Sequence, residues 1–329
     1  MAVPPVDAFR RKIDYLRLSI TDRCNLRCTY CMPERGVPKL GHDKILRYEE
    51  IITVAKIVAG MGISKIRITG GEPLVRRDIL TLCRNISMIP GLKSLSITTN
   101  GVLLPEYAES LRAAGIKRIN ISLDTLQPEK FASIARRDCF QRVWDGIEAA
   151  RLAGFSPIKI NAVVIHGINE DEIEELAALT FKYPFHIRFI EFMPFLPGSP
   201  EANFVPASEI LDRLKRIAPL SRSEETNNNG PAQYFQFQGA PGKIGIISPV
   251  SEHFCPTCNR LRITADGKLR TCLFSKDETD LRQALREGLP AERIEEIIRT
   301  AIKTKPEKHE LSNPVFRKCI SRPMFSIGG

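Results

Sequence analysis

Six short apolar runs, most of them followed by a stretch of helical periodicity, constrain this chain more than any other feature. The runs are Tyr15–Ile20, Lys65–Thr69, Lys93–Thr98, Arg118–Leu123, Ile158–Val164 and His186–Glu191. Helical patterns stand at Glu49–Ala59, Pro105–Ala114, Arg142–Ala153 and Glu170–Thr180, with Gly115, Gly154 and Pro157 punctuating the joints. Strands alternating with helices of this length imply βα units, because parallel neighbours need a crossover that a helix supplies. About six such units are too few to close an eight-unit barrel. The expectation is an α/β fold, a partial, open βα barrel.

The rhythm changes after Pro194. Runs Gln233–Gln238 and Lys243–Ile247 are closely spaced, and Asn227–Gly230 reads as a polar loop. Arg260–Thr264 and Lys268–Thr271 flank Ala265-Asp266-Gly267, a hairpin turn. Helical runs near Asp280–Glu287 and Ala291–Lys303 lead into an irregular tail. This predicts two parts: a barrel over 1–193, and a C-terminal α+β region over 194–329 that covers the open face and carries its own cysteine site. Charges break up the apolar residues at the N-terminus, and no stretch has the length of a bilayer span. The expected location is cytoplasmic, with no membrane association. A net charge of +10 suits an anionic partner. With no nucleic-acid module in view, a nucleotide ranks above RNA or DNA.

Nine cysteines fall into two tight groups and three singles, Cys83, Cys139 and Cys319. In a chain of this size without a secretory signal, grouping points to metal ligation rather than disulfides. Cys24, Cys28 and Cys31 follow the first strand directly, where loops of a βα barrel gather at the active face. Three thiolates can hold three irons of a [4Fe-4S] cluster and leave the fourth open to a chelating substrate. Structural zinc wants four ligands, and no fourth Cys or His lies near. The later group, Cys255, Cys258 and Cys272, suits a second cluster. A zinc site completed by His253 is its rival. Gly70-Gly71-Glu72-Pro73 ends the second strand, and its glycines permit close backbone approach.

The C-x3-C-x2-C spacing and the Gly-Gly-Glu-Pro run together resemble the radical S-adenosylmethionine (SAM) superfamily. The run Phe254-Cys-Pro-Thr-Cys-Asn-Arg-Leu-Arg-Ile-Thr-Ala-Asp-Gly-Lys-Leu-Arg-Thr-Cys272 narrows the likeness further. With Lys65-Ile-Arg-Ile-Thr-Gly-Gly-Glu-Pro-Leu, Ile97-Thr-Thr-Asn-Gly, Asn120-Ile-Ser-Leu-Asp and the Gly328-Gly329 ending, it resembles the GTP 3′,8-cyclase family over nearly the whole chain.

That resemblance implies a lyase of molybdenum cofactor biosynthesis with two [4Fe-4S] clusters. Cys24, Cys28 and Cys31 would hold the cluster that serves SAM, and Tyr30, Gly71, Ser122 and Met193 would contact SAM. Cys255, Cys258 and Cys272 would hold a second cluster whose open iron takes the guanine. Arg17, Arg67, Thr98, Lys159, Arg260, Leu261 and Arg262 would contact GTP, and alternation along a strand lets Arg260 and Arg262 face one side. Gly328 and Gly329 would reach the site and help place a catalytic arginine, with Arg17 the first choice beside Arg260 and Arg262. A 5′-deoxyadenosyl radical would take the ribose C3′ hydrogen before the sugar closes on guanine C8, giving (8S)-3′,8-cyclo-7,8-dihydroguanosine 5′-triphosphate. The implied partners are a second copy of the chain, a flavodoxin or ferredoxin, and a cyclic pyranopterin monophosphate synthase that takes the product. A peptide-modifying radical SAM enzyme with an auxiliary cluster, or a zinc-bearing binding module, are the alternative readings.

Overall fold

Each strand of the barrel carries apolar residues on one face and polar ones on the other. Leu16 and Leu18, Ile66 and Ile68, Ile119 and Ile121, and Ile158 and Ile160 are buried against helices. The residues between them, Arg17, Arg67, Asn120 and Lys159, line an internal cavity. A side-chain period of two turns a short strand into a wall between an oily layer and a polar chamber. The computed structural model describes residues 2–38, 40–193, 203–223, 230–309 and 322–328.

Strands β1 (Tyr15–Ser19), β2 (Lys65–Thr69), β3 (Ser94–Thr99), β4 (Arg118–Ser122), β5 (Ile158–Val164) and β6 (His186–Glu191) pair in parallel in chain order. Helices α1 (Tyr48–Gly60), α2 (Ile79–Ser87), α3 (Leu104–Ala113), α4 (Pro128–Ala135), α5 (Phe140–Leu152) and α6 (Ile173–Lys182) supply the crossovers. Their buried residues, such as Ile51, Val54 and Val58 of α1, complete the outer core. The six expected units are present.

The C-terminal region joins the same sheet at both edges. Helix α7 (Ala207–Lys215) precedes β7 (Leu220–Arg222), β8 (Gln233–Phe237) and β9 (Lys243–Ile247). Strand β9 adds in parallel to β6, and β10 (Arg260–Ile263) adds in parallel to β1. The strands β11 (Lys268–Arg270) and β12 (Thr279–Asp280) extend that edge antiparallel. The result is one 12-stranded sheet, open between β12 and β7. Helices α8 (Leu281–Arg286), α9 (Ala291–Lys303) and α10 (Met324–Ile327) follow. The tail read as irregular thus holds one helical turn, with Phe325 and Ile327 buried.

Among the single cysteines, Cys83 sits in the core within α2, and Cys139 packs against the core ahead of α5. Cys319, Gly329, Pro194 and most of the Asn227–Gly230 loop lie outside the described residues.

Candidate active site

The loop carrying Cys24, Cys28 and Cys31 leaves the C-terminal end of β1 and folds on itself. The amides of Cys31 and Met32 both donate to Cys28 O, at 2.9 and 3.0 Å. Gly70 and Gly71 let the end of β2 pack against this loop: a Cβ on Gly71 would stand 2.4 Å from Arg23 O. Gly71 N donates to Thr21 O at 2.7 Å, and Glu72 N donates to Arg23 O at 2.8 Å. The close approach that the glycines allow is therefore first of all to the cysteine loop itself. Glu72, almost fully buried, accepts from Leu74 N, Thr99 Oγ1 and Asn100 N, tying the loop after β2 to the end of β3. Burial pushes its carboxyl up to about 7. Asn100 then reaches Asn25 Oδ1 at 2.7 Å and Cys24 Sγ at 3.7 Å. The Gly-Gly-Glu-Pro and Thr-Thr-Asn-Gly motifs form one scaffold under the first triad.

Tyr30 Oη donates to Asp124 Oδ2 at 2.7 Å, and Asp124 Oδ1 accepts from Val163 N at 2.8 Å. Sequence reasoning passed over Asp124, although it closes the Asn120-Ile-Ser-Leu-Asp run. Burial lifts the Asp124 carboxyl to about 6. It also pushes Cys24 up to about 11 and Cys31 up to about 12, and Cys28 well above its ordinary range. Ser122 at the end of β4 and Met193 beyond β6 line the cavity at this level, with Gly71.

The second triad lies at the opposite end of the strands. Cys255 and Cys258 stand on a 3-10 turn just before β10, and Cys272 follows β11. Register pairs Arg262 with Arg270, so the chain leaving β11 passes beside the N-terminal end of β10. Here the electrostatics invert. Although burial opposes it, Arg260 and Lys305 hold the Cys258 thiol down to about 6. His253 is exposed and stacks edge-on with His309, 5.4 Å between ring centroids. All eight described cysteines are free thiols. Among the described residues, no three His, Cys, Asp or Glu side chains group to hold a single metal ion. A cluster asks for a wider set than an ion does, because each thiolate binds a different iron.

Between the triads runs one cavity of about 660 Å³, lined by both sets of cysteines. Arg17, Arg67, Lys159, Arg260 and Arg262 all face it, against two acidic side chains among the described residues, Glu72 and Asp124. Pairing across the sheet sets Arg17 between Arg67 and Arg262. Burial, then Arg262, lowers Arg17 well below the ordinary guanidinium range. Burial, then Arg260, brings Arg262 down to about 9. Burial, with Arg188, Arg67 and Arg118, brings Lys159 down to about 7. Cations crowded like this, away from water, need an anion. Among the described residues, Thr98 Oγ1 is buried and has no hydrogen-bond partner. Arg260 is fixed over the Phe254 ring, 4.6 Å from its centroid. The Leu261 side chain points the other way into the core, and Leu261 is not among the residues that line this space.

Arg188 on β6 was not foreseen. It is nearly buried, faces the cavity, and donates from Nε to Asn161 Oδ1 at 2.8 Å. The Asn120 amide stands between Arg188 and Arg67, and turning its oxygen toward them lets it accept from both guanidinium groups. The tail reaches the same chamber. Arg262 Nη1 donates to Gly328 O at 2.9 Å, so among the described residues Arg262 is an arginine held by the tail. Gly328 has φ 83°, and a Cβ there would lie 2.4 Å from Thr69 Oγ1. The Phe325 backbone lies beside the Cys31 thiol and partly offsets the effect of its burial. Gly329 lies outside the described residues.

Residues 18–180 match the Radical SAM superfamily, and residues 185–311 match Molybdenum Cofactor Synthesis C. The chain is 50% identical over 324 residues to GTP 3′,8-cyclase of Moorella thermoacetica, covering 98% of this chain and 99% of that protein. It is 48% identical over 326 residues to GTP 3′,8-cyclase of Pelotomaculum thermopropionicum, with the same coverage. Among solved structures, SuiB of Streptococcus suis shares the fold with a TM-score of 0.59 at 16% identity, covering 82% of this chain and 65% of that one.

Proposed function

The chain belongs to the GTP 3′,8-cyclase family of radical SAM enzymes, and from that premise we propose the residue roles that follow. The reaction is the first step of molybdenum cofactor biosynthesis, conversion of GTP to (8S)-3′,8-cyclo-7,8-dihydroguanosine 5′-triphosphate. One observation carries the assignment of roles: a single cavity has a thiol triad at each end and a band of cations between. Cys24, Cys28 and Cys31 hold the first [4Fe-4S] cluster, and Cys255, Cys258 and Cys272 the second. Both donor sets fit, three thiols each with room for a substrate at the fourth iron. When bound, the first cluster, reduced by one electron from an external donor, and SAM would supply a 5′-deoxyadenosyl radical able to take hydrogen from ribose C3′; closure of C3′ on guanine C8 would then take one further electron and a proton to give the dihydro product.

The chain's own part is binding, orientation and exclusion of water. Tyr30, Gly71, Ser122 and Met193 bound the SAM end. Asp124 orients the Tyr30 hydroxyl. Arg17, Arg67, Lys159, Arg260 and Arg262 hold the triphosphate by charge-assisted hydrogen bonds, and Arg188 joins them. Thr98 Oγ1 completes the nucleotide's polar contacts. Gly328, whose carbonyl accepts from Arg262, helps to place that arginine, with Arg17 adjacent; the same role is assigned to Gly329, which lies outside the described residues. Residues 1–193 bring the SAM side, and 194–329 bring the second triad and two of the substrate arginines.

No helix among the described residues is long and apolar enough to cross a membrane. We place the enzyme in the cytoplasm as a homodimer, fed electrons by a flavodoxin or ferredoxin, with its product passed to cyclic pyranopterin monophosphate synthase.

The test is an anaerobic assay. Reconstituted protein, SAM and dithionite are incubated with each nucleoside triphosphate in turn. The expected result is 5′-deoxyadenosine together with a cyclised nucleotide from GTP alone. Equal deoxyadenosine with every nucleotide and no cyclised product would remove the substrate assignment.

A further inference from the structure

Lys305 lies just beyond α9, in a stretch with no cysteine and no motif, and it is only 3% exposed. Its ammonium meets three acceptors: Cys258 Sγ at 3.6 Å, Arg260 O at 3.2 Å, and Thr271 O. An ammonium has three N–H donors, so the group is fully used. These three acceptors belong to, or directly adjoin, the second triad: Cys258 itself, the arginine two residues on, and the residue before Cys272. The chain after Lys305 continues around the same site. The His309 backbone lies beside the Cys255 thiol and partly offsets the effect of its burial. Arg11, from the far N-terminus, donates to Cys255 O, Glu307 O and Pro306 O at 2.9, 2.9 and 2.7 Å. Asp7 fixes Arg11 at 2.5 Å. Two buried cations from opposite ends of the chain thus close the back of the second triad.

We propose that Lys305 is the positioning residue of the second cluster site, fixing Cys258 against Arg260 and Thr271 and supplying the buried positive charge that the cluster faces. A lysine present only to tie two carbonyls together would not need to touch a ligand sulfur. Hydrogen bonds to sulfur and local charge are what set an iron–sulfur potential, and a cation stabilises the more negative, reduced state. The inference rests on the reading of Cys255, Cys258 and Cys272 as cluster ligands and adds a residue that the cysteine pattern does not reach.

The experiment uses reconstituted holoenzyme with Lys305→Met, Lys305→Gln and Lys305→Arg. The readouts are iron content, the EPR-monitored potential of the GTP-sensitive cluster signal, and the SAM-sensitive signal of the first cluster. In Lys305→Met the second cluster is expected either to be lost, leaving about four irons per chain, or to titrate at a more negative potential. The first-cluster signal stays as in wild type, and Lys305→Arg recovers most of the shift. Lys305→Gln keeps donors without charge and serves where Lys305→Met fails to fold; its second cluster must also shift negative. Full iron with an unchanged second-cluster potential in Lys305→Met, or in Lys305→Gln if that alone folds, overturns the proposal. A wild-type protein with about four irons and no GTP-sensitive signal would instead remove the underlying reading.

Discussion

At the scale of single residues, Lys159 is the proposed triphosphate contact whose charge state GTP would settle. Burial and the neighbouring Arg188, Arg67 and Arg118 bring it down to about 7, so in the free protein it is partly neutral at pH 7 and mostly neutral at pH 8. A bound triphosphate favours the ammonium, so binding draws a proton onto Lys159. Affinity for GTP should then weaken as pH rises above 7, by at most about tenfold per pH unit for one proton. Lys159→Arg keeps its charge throughout and should lose this component. Titration calorimetry in buffers of unlike ionisation enthalpy measures the difference at pH 7.5; equal proton uptake by the two proteins would contradict it. The residues legible in the sequence were those tied to motifs, the six cysteines and the arginines beside them. Arg188, Arg11 and Lys305 were not legible, because a lone cation among 48 Lys and Arg carries no signal until the fold buries it. Asp124 was legible in principle, as the acidic end of an otherwise apolar and neutral strand run.

At the scale of elements, the apolar runs announced strands because each outer face packs on a helix. The inner face was harder to read, since Arg17, Arg67 and Lys159 look like solvent-facing positions when the chamber they line is not in view. The tail was read as irregular, because a four-residue helix has too little periodicity to detect. What holds it is a side-chain clamp. Arg322 donates to Asp266 Oδ1 and Oδ2 at 3.0 and 2.9 Å, and to Glu278 Oε2 at 2.8 Å. Asp266 is the centre of the hairpin turn between β10 and β11, so the tail is pinned to the strand that carries Arg260 and Arg262. Arg322→Ala should release α10 and, with it, the Gly328 contact to Arg262. The expected stability loss is about 1–3 kcal/mol. Cyclised product should fall on the order of a hundredfold, since small misplacements of reacting groups cost that much. Both clusters and GTP affinity should change little. Hydrogen exchange over residues 322–328 reports release of the tail, and a variant with fast exchange there and full product yield would show that the tail's position is immaterial.

At the scale of the whole molecule, the division expected at residue 193 does not interrupt the sheet, because strands from both sides of it pair with one another. The six βα units were legible, but not the way the C-terminal region uses them: a sequence shows which runs are strands, while their edge partners depend on contacts between residues as far apart in the chain as Tyr15 and Arg260. Strand β1 pairs with β10 over Tyr15–Leu18, and β6 pairs with β9 over His186–Ile190. Removing residues 194–329 would strip both partners at once and expose the backbone of two strands that lie inside the sheet. It would also take away Ile244, Ile246, Leu261 and Ile263, all in the continuous core. A fragment of residues 1–193 should therefore aggregate or remain loosely packed, even though it keeps the first triad and its scaffold. Near-UV circular dichroism and a thermal melt decide the point. A monomeric fragment with a fixed aromatic signal and a sharp transition would mean that the barrel half is a domain in its own right. The expected failure would tie SAM chemistry to the presence of the substrate half: the chamber walls exist only when both ends of the chain have joined one sheet.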